Sequence, residues 1–493
     1  MHRGLQILEI VELLCAELAG DLPRYGFGPP ACRHLAALAR TCKTFQDPAL
    51  DLLWSHQKNT MMNLLMCMPN DLWHSPVTDV KLLLLEALSL CFPEEHFFPN
   101  LQRLYWSPPK TPHFPYIRLF LSSKITRTIL VSGDSDRDLS LLSAVAIKCP
   151  NITDATIYCP TAEDSRRAVL ESISLFVRGL AAIESLSVWD LDQAAIEYLA
   201  NLPTVKSLEI GRPNSFNPSC KNLCGGDVFV NLRRLNFHFI APESIARFLA
   251  PFSDSPLVSL AINVEPTALA APGLYSSIAE NCPRATLRSL HVGSAVLIVL
   301  TNQRAQRQII RDEMIRPLLS LAALTSLCLY SRDGFNLDDA TLSDMAASWP
   351  NMEDLDLRVL SDYDGFTPRA TLYSLYAFAR HCPRLTTLTI VFDATVVPST
   401  NDAEIVQGAL TCLSLGRSPI SATAADVAAF LCGLFPALRE LHTGYWDPGP
   451  GGDSDEDDDD FVGDRVIHHR RWKQVERLLP AHVEDSDEQE DNE

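Results

Sequence analysis

Aromatic residues and long apolar runs are both scarce in this sequence. Only 8% of its 493 residues are aromatic although 47% are hydrophobic, so aliphatic side chains must fill the core. Leu and Ala are conspicuous among them, which favours repetitive helical or solenoid packing over an aromatic-rich barrel. The longest aliphatic runs, 82–85 and 295–300, are far shorter than the roughly 20 residues that a membrane span requires. We therefore expect no membrane partner.

Basic residues are outnumbered, with 41 Lys and Arg against 61 Asp and Glu, and the formal charge is −20. Residues 447–493 alone hold 17 acidic and 5 basic side chains, which is a net charge of −12. The body, residues 1–446, therefore carries only −8. Neither part has the basic footprint that phosphate backbones require, so nucleic acid is not expected as a partner.

The 14 cysteines are scattered singly through apolar periodic stretches and do not form the pattern of a disulfide framework. This distribution indicates a reduced interior. The first segment carries Glu9, Glu12 and Glu17 within its apolar pattern, which a signal-peptide core would not contain. We expect a protein of the cytoplasm, the nucleus or both.

Sequence motifs of catalysis and metal binding are also missing. There is no G-x-S-x-G elbow, no Walker phosphate loop, no G-x-G-x-x-G after a strand and no H-E-x-x-H. Cys220 and Cys224 form a single C-x-x-x-C, and one such pair cannot close a tetrahedral zinc site. The pair His468-His469 has no convincing metal-binding partner, and Asp338 is expected to cap a helix. The sequence thus predicts a protein that is not an enzyme and holds neither metal nor cofactor.

The N-terminal segment has the pattern of three short helices. Apolar residues at offsets 0, 3, 4, 7 and 11 give the first helix one apolar face, formed by Ile7, Ile10, Val11, Leu14 and Leu18. Gly and Pro residues between 20 and 30 indicate a break. A second helix is lined by Leu35, Leu38 and Cys42. The third helix is predicted to start with Asp47 as its N-cap and Pro48 as its first residue, and it continues with Leu50, Leu53 and Trp54.

This segment resembles the F-box, in the variety common in fungal proteins. The match lies in an acidic, aliphatic first helix, then AALARTCKTF, then DPALDLLW with its Asp-Pro/Leu-Trp ending. The resemblance implies an F-box module over residues 1–73 that binds the Skp-type adaptor subunit of a cullin ubiquitin ligase. The positions matching the family's binding face are Leu5, Leu8, Ile10, Val11, Leu14, Leu38, Cys42, Leu53 and Trp54. A plain three-helix cap would show the same periodicity and stays open as an alternative.

From residue 98 onward a short pattern recurs, in which an apolar residue and often Pro precede a Leu-x-x-Leu-x-Leu-like strand. Its first apolar positions are Leu101, Ile152, Ile183, Val205, Leu232, Leu257, Leu287, Leu324, Met352, Leu385, Leu410 and Leu438. A weaker copy lies around Ile129 and Val131. Thirteen units over this span give about 28 residues each, which is within the range of leucine-rich repeats. Helical patterns lie between the strands, so the sequence predicts an α/β solenoid over 74–446 with a parallel concave sheet and convex helices.

Irregular, cysteine-containing repeats of this kind resemble the leucine-rich repeats found after F-boxes. The resemblance implies a non-catalytic adaptor that holds a protein substrate and acts as a monomer within a ligase complex. Residues on the strands' solvent side are the candidates for substrate contact, namely Lys206, Glu209, Arg233, Asn236, Asp354, Asp356 and Thr389. A leucine-rich-repeat scaffold without a ligase role, and an enzyme of strand-helix fold, remain alternatives.

Residues 447–493 are expected to form an acidic, disordered tail that is dispensable for folding of the body. Within it, a short helix over 464–479 has an apolar side formed by Val466, Ile467, Trp472, Val475 and Leu479. This helix is expected either to cap the last repeat or to bind a partner. Ser454, followed by four acidic residues, is a candidate for phosphorylation by an acidophilic kinase.

Overall fold

The structure is a computed structural model that describes residues 8–19, 29–58, 100–107, 111–131, 136–158, 166–211, 228–264, 270–293, 309–359, 367–398, 405–444 and 459–479. The chain divides into two units, Met1–Arg212 and Pro213–Glu493. Among the described residues, none of the helices has the length and hydropathy needed to cross a membrane. Leu5, Ser454 and the pair Cys220 and Cys224 lie outside the described residues.

Three helices open the first unit: α1 (Leu8–Ala19), α2 (Pro29–Ala39) and α3 (Lys43–Ser55). They enclose a small cluster, called here the helix core, formed by Val11, Cys15, Leu35, Ala39, Phe45 and Ala49. The prediction that the third helix starts at Pro48 is wrong, because α3 begins at Lys43 and contains Pro48. Phe45 and Ala49 lie one turn apart and are both buried in the helix core. Their burial stabilises a turn ahead of Pro48, although Pro48 lacks the N–H that would bond to the preceding turn.

The first unit continues with a parallel sheet whose strands follow one another in sequence order: β1 (His56–Lys58), β2 (Arg103–Trp106), β3 (Arg127–Val131), β4 (Asp154–Tyr158), β5 (Ser185–Val188) and β6 (Ser207–Ile210). A 3₁₀ segment, Thr111–Leu119, and three helices connect these strands: α4 (Asp136–Lys148), α5 (Arg166–Arg178) and α6 (Gln193–Ala200). A strand followed by a returning connection is the repeating element that the sequence predicts. The first strand, β1, was not predicted, and it lies within the segment assigned to the F-box module.

The second unit has the same arrangement. Eight parallel strands pair in chain order: β7 (Arg234–His238), β8 (Ser259–Asn263), β9 (Ser289–Val292), β11 (Ser326–Ser331), β13 (Asp354–Val359), β14 (Thr387–Thr389), β15 (Cys412–Ser414) and β16 (Glu440–His442). Two short strands, β10 (Ile310–Arg311) and β12 (Phe335–Asn336), form a separate pair. The helices are α7 (Pro242–Leu249), α8 (Ala271–Asn281), α9 (Asp312–Ile315), α10 (Asp339–Ser348), α11 (Ser374–His381), α12 (Ala424–Leu434) and α13 (Asp459–Arg477). Asp338 caps α10 as predicted, since its side chain accepts a hydrogen bond from the Thr341 N–H.

The predicted repeat positions lie in the core. All twelve first apolar residues, from Leu101 to Leu438, are at most 1% exposed. In the second unit, register also aligns one leucine from each of the eight strands in a single buried row: Leu235, Leu260, Leu290, Leu327, Leu355, Leu388, Leu413 and Leu441. Each side chain contributes roughly 1.5 to 3 kcal/mol when it is fully buried, so this row is a major source of stability.

The weak repeat copy is a strand, β3, but its register differs from the prediction by one residue. Thr128 and Leu130 are fully buried, whereas Ile129 and Val131 are only half-buried on the other face. Strand side chains alternate between faces, so a shift of one residue exchanges every inward and outward position. The sequence did not indicate the correct register because the inward residue Thr128 is polar and does not fit the apolar pattern.

The Cys-Pro pairs close helices, as predicted. Cys149, Cys282 and Cys382 are buried free thiols. The Cys382 thiol donates to the carbonyl oxygens of Ala346 and Trp349, at 3.5 and 3.6 Å. A small side chain at this position therefore both fills the turn and bonds to the neighbouring repeat.

The C-terminal helix is longer than predicted and packs against the second unit. α13 starts at Asp459, and two of its side chains, Trp472 and Val475, are fully buried, as is Leu479 just after the helix ends. The Trp472 indole N–H donates to the carbonyl of Ser418 at 2.8 Å. The ring of Trp472 also packs edge-on against Phe392, with centroids 6.3 Å apart. These contacts favour the first of the two expectations for this helix, a cap on the last repeats. That residues after 447 are dispensable for folding of the body stays a prediction.

Candidate partner-binding surfaces

The first helix, α1, has one buried and one exposed apolar side. Val11 and Cys15, one turn apart, point into the helix core. Ile10, Leu14 and Leu18, here called the α1 stripe, are 39%, 41% and 44% exposed. Their spacing of four residues places them on one face. The single apolar face that the sequence predicts is therefore divided, and only the side that includes Val11 is buried in the helix core.

The nine residues predicted to bind the Skp-type subunit fall into three groups. Two of them, Ile10 and Leu14, belong to the α1 stripe. Four lie in the helix core or pack against it: Val11, Leu38, Cys42 and Leu53. The other three are Leu5, outside the described residues, and Leu8 and Trp54, whose side chains are also outside the described set. The structure thus brings two of the predicted residues together on an accessible face.

The side of the sheet opposite the buried strand residues is called here the strand face. In the first unit it includes Arg103, Arg127 and Asp154, and the two arginines lie side by side. Register pairs Arg103 with Arg127, and Arg127 with Asp154. The Arg127 guanidinium is 2.6 Å from the Asp154 carboxylate, while Arg103 Nη1 is buried without a hydrogen-bond partner. Burial, together with the charge of Arg127, lowers the pKa of Arg103. One carboxylate for two guanidinium groups leaves an excess of positive charge here.

Two predicted substrate contacts of the first unit occupy different kinds of position. Glu209 is on the strand face of β6, in register with Ser187. Lys206 instead lies one residue before β6, where its ammonium group is 2.7 Å from the Glu184 carboxylate. Both partners of this ion pair are about half exposed, so its net contribution to stability is small.

The same difference separates Arg233 and Asn236 in the second unit. Arg233 precedes β7 and is exposed at the end of the sheet. Asn236 lies on the strand face, and its side-chain oxygen accepts a hydrogen bond from the Asn263 amide at 2.7 Å. Lys206 and Arg233 thus lie just before the N-terminal ends of β6 and β7 and not at the alternating strand positions from which they were chosen.

Two carboxylates of the second unit, Asp354 and Asp356, lie on β13 in partly or largely buried positions. Asp356 was expected to be exposed, but it is only 7% exposed. Its Oδ2 is 2.8 Å from the Arg358 guanidinium and accepts a hydrogen bond from the Cys328 thiol, whereas its Oδ1 is buried without a partner. Burial raises the pKa of Asp356, and it also raises that of Asp354, which accepts a hydrogen bond from Ser326. Two carboxylates against one guanidinium leave an excess of negative charge.

Aromatic side chains flank the charged residues Asp354, Asp356 and Arg358, which are called here the β13 cluster. The Arg358 guanidinium lies 5.3 Å from the centroid of the Tyr330 ring, and the His291 ring meets Tyr330 edge-on at 5.1 Å. Burial raises the pKa of Tyr330 to about 12. Thr389, the last predicted contact, is in register with Asp356 and is almost completely buried. Asp354, Asp356 and Thr389 therefore do share one surface, although it is less accessible than the sequence indicated.

A further group on this face was missed by the sequence analysis. Cys412 on β15 pairs in register with Glu440 on β16, and His442 follows two residues later. One ligand atom of each residue lies within 4.8 Å of the other two. Cys412 lies 28 positions before Glu440 in the sequence, so a search for local metal motifs does not find the group. The repeat period itself was the available signal, because it aligns equivalent positions of neighbouring units.

Several cysteines have environments that disfavour the reactive thiolate. Burial raises the pKa of Cys149 to about 11 and those of Cys282, Cys328 and Cys382 to about 12. Cys42 differs, since a hydrogen bond from the Phe45 backbone lowers its pKa. A thiol with a raised pKa is protonated near neutrality and is a poor nucleophile.

No family model matches the chain, and no curated protein matches it either. Among solved structures, the chain is similar to the crystal structure of a Rad7 and Elc1 complex in yeast, with 14% sequence identity and a TM-score of 0.33. This likeness covers 80% of this chain and 87% of that chain. A likeness of this degree does not indicate a shared function.

Proposed function

We propose that this protein is a non-catalytic substrate-recognition adaptor of a Skp-cullin ubiquitin ligase, acting in the cytoplasm or the nucleus. Its N-terminal helices would bind the Skp-type subunit, and the strand faces of its repeats would hold a protein substrate. The observation that carries the proposal is the α1 stripe. Ile10, Leu14 and Leu18 remain exposed on a helix whose other apolar side is already packed into the helix core.

An exposed apolar stripe is costly for a lone chain and favourable for a complex. Burying a leucine or isoleucine side chain is worth roughly 1.5 to 3 kcal/mol in full, and about half of that when the side chain is already half-covered. Three such residues, together with Leu13 beside them at 69% exposure, could contribute about 3 to 5 kcal/mol to binding. That amount corresponds to a factor of about 100 to 1,000 or more in affinity. The stripe also coincides with two positions of the F-box resemblance, which names the partner.

The strand faces suit a protein substrate better than a small one. In the first unit, the Arg103 and Arg127 pair gives a local positive excess, while the β13 cluster of the second unit gives a negative one. Charges of this kind select a partner by complementarity more than they add affinity. The raised pKa values of Cys149, Cys282, Cys328 and Cys382 make these four thiols poor nucleophiles, in keeping with a binding role.

Charging the α1 stripe tests the proposal. The full-length double variant Ile10→Asp/Leu14→Asp should lose at least ~100-fold in affinity for the Skp-type subunit, because two carboxylates would have to be buried against an apolar surface. The measurement is co-purification of the two proteins followed by calorimetric titration. Circular dichroism of the variant should match the wild type, since the stripe lies outside the helix core.

Ala16→Asp is the matched control. Ala16 is exposed on the same helix and lies about 200° around it from Leu14, so this change adds one negative charge on another face. It should leave binding within about twofold of the wild type. Equal recovery of the subunit by the double variant and the wild type would refute the ligase role and leave a leucine-rich-repeat scaffold as the better description.

A further inference from the structure

We propose that Cys412, Glu440 and His442 form a binding site for a divalent transition metal ion, with Zn²⁺ as the best match. The three side chains come from the last two strands of the second unit and share its strand face. The site is independent of the ligase proposal, since none of its residues belongs to the α1 stripe.

The backbone fixes the positions of all three residues. Cys412 pairs in register with Glu440, and Ser414 pairs with His442. Leu413 and Leu441, which alternate with them on the two strands, are buried in the leucine row. Paired strands with buried alternate residues hold the outward positions at fixed separations. The three Cα atoms are therefore placed by the repeat itself and not by a flexible loop.

The distances between donor atoms are close to those of a metal site. The Cys412 sulfur, a Glu440 carboxylate oxygen and a His442 ring nitrogen lie within 4.8 Å of one another, and His442 Nε2 is 3.3 Å from Glu440 Oε2. In a tetrahedral zinc site with bonds of about 2.0 to 2.3 Å, neighbouring ligand atoms are about 3.5 Å apart. Small rotations of exposed side chains are sufficient to close the difference, because the Glu440 and His442 side chains are 65% and 60% exposed.

The donor set selects the class of metal. A thiolate, an imidazole and a carboxylate suit Zn²⁺, whereas Mg²⁺ and Ca²⁺ require oxygen ligands alone. Three protein ligands leave a fourth position open, which is the arrangement of a site that can accept water or a side chain of a bound partner. That open position would lie on the face proposed to hold the substrate.

The protonation state of Cys412 gives the site a characteristic signature. A cysteine thiol at its ordinary pKa is protonated near neutral pH, so metal binding must displace that proton into solution. We expect about one proton released for each ion bound, and an affinity that increases with pH.

The test uses the full-length chain, first treated with a chelator and then titrated with ZnCl₂ or CoCl₂. Calorimetry in two buffers of different ionisation enthalpy measures affinity, stoichiometry and proton release together. Cobalt adds a spectroscopic readout, because thiolate coordination produces a near-ultraviolet charge-transfer band and tetrahedral geometry produces strong visible absorption. The wild type should bind one ion and show both absorptions.

Three variants remove the ligands one at a time. Cys412→Ser should abolish the charge-transfer band, and Glu440→Gln and His442→Gln should each lower the affinity at least ~10-fold. The last two residues are exposed, so their variants fold even if Cys412→Ser does not. Cys432→Ser, a change of a cysteine on α12 away from the strand face, is the control and should bind as the wild type does.

The proposal is overturned if the wild type binds no ion, or if the band persists in Cys412→Ser. Equal affinities for wild type, Glu440→Gln and His442→Gln would overturn it as well, because the ion would then be held by other residues. Failure of this site leaves the binding of the Skp-type subunit untouched, so the two proposals fail separately.

Discussion

Replacing Trp472 by alanine is the most direct test of how the repeats end. Trp472 lies on α13, a helix that follows an acidic stretch with almost no apolar residues. Its side chain is nevertheless fully buried, and its indole N–H donates to the Ser418 carbonyl. We expect Trp472→Ala to destabilise the second unit strongly, because it removes both the largest apolar contact of the cap and a buried hydrogen bond.

The magnitude follows from the contacts. Removing a buried tryptophan side chain costs about 3 to 5 kcal/mol, which includes the cavity left beside Phe392. The lost hydrogen bond adds about 1 kcal/mol. The total, about 4 to 6 kcal/mol, is about a quarter or more of the stability of an ordinary domain. Trp472→Phe, which keeps an aromatic ring but not the donor, should cost about 1 to 2 kcal/mol.

Urea unfolding of the full-length chain, with hydrogen exchange read over residues 405–444, measures the effect. Protection should fall first near Ser418 and Ile420, since the Arg471 guanidinium of the same helix also donates to the Ile420 carbonyl. Lys473→Ala is the control, because Lys473 is exposed and pairs only with Glu476 among the described residues. It should change stability by no more than about 0.5 kcal/mol. If Trp472→Ala unfolds at the same urea concentration as Lys473→Ala, then α13 is not a cap and the reasoning is wrong.

Two further predictions concern the sheet of the second unit. Leu355→Asp and Leu388→Asp each place an unpaired charge in the leucine row, so each should lower the free energy of unfolding by at least ~4 kcal/mol. Each should also unfold its own repeat first, which hydrogen exchange would show. A uniform loss of exchange protection across the unit would contradict this prediction. Because burial raises the pKa of Asp356, the folded state binds its proton more tightly than the unfolded state, and the free energy of unfolding should fall as pH rises from about 4 through that raised pKa. Asp356→Asn should remove this component, and urea midpoints with the same pH dependence in both proteins would show that Asp356 titrates normally.

Repeat positions were predictable because one physical rule applies at every unit. A strand that must bury its alternate residues needs Leu, Ile, Val or Met at fixed places, and the sequence shows them from Leu101 to Leu438. Where an inward residue was polar, as at Thr128, the pattern pointed to the wrong face. Local chemistry at Asp338 and at the Cys-Pro turns was equally readable, because a cap or a helix end involves only residues close in sequence.

The sequence could not predict in the same way which apolar residues of α1 are buried and which stay exposed. Ile10, Val11 and Leu14 satisfy one helical period, and periodicity does not say which of them faces α2 and α3. Packing of the three helices buried Val11 and left the α1 stripe outside. For the same reason, α3 extends back to Lys43 through contacts of Phe45 that no N-cap rule considers.

The repeat period, the alternation of strand and helix, and the choice of interior residues follow from the amino-acid sequence, because each depends on burial of apolar side chains within one unit. Which polar side chains meet depends on the packing of the folded chain. Asp356 contacts Arg358 and Cys328, and Trp472 donates a hydrogen bond to Ser418, which is more than fifty residues away in the sequence. Cys412 lies beside Glu440 and His442. Such encounters depend on the register between neighbouring strands and on the docking of α13, which are set by the packing of whole units and leave no local pattern in the chain.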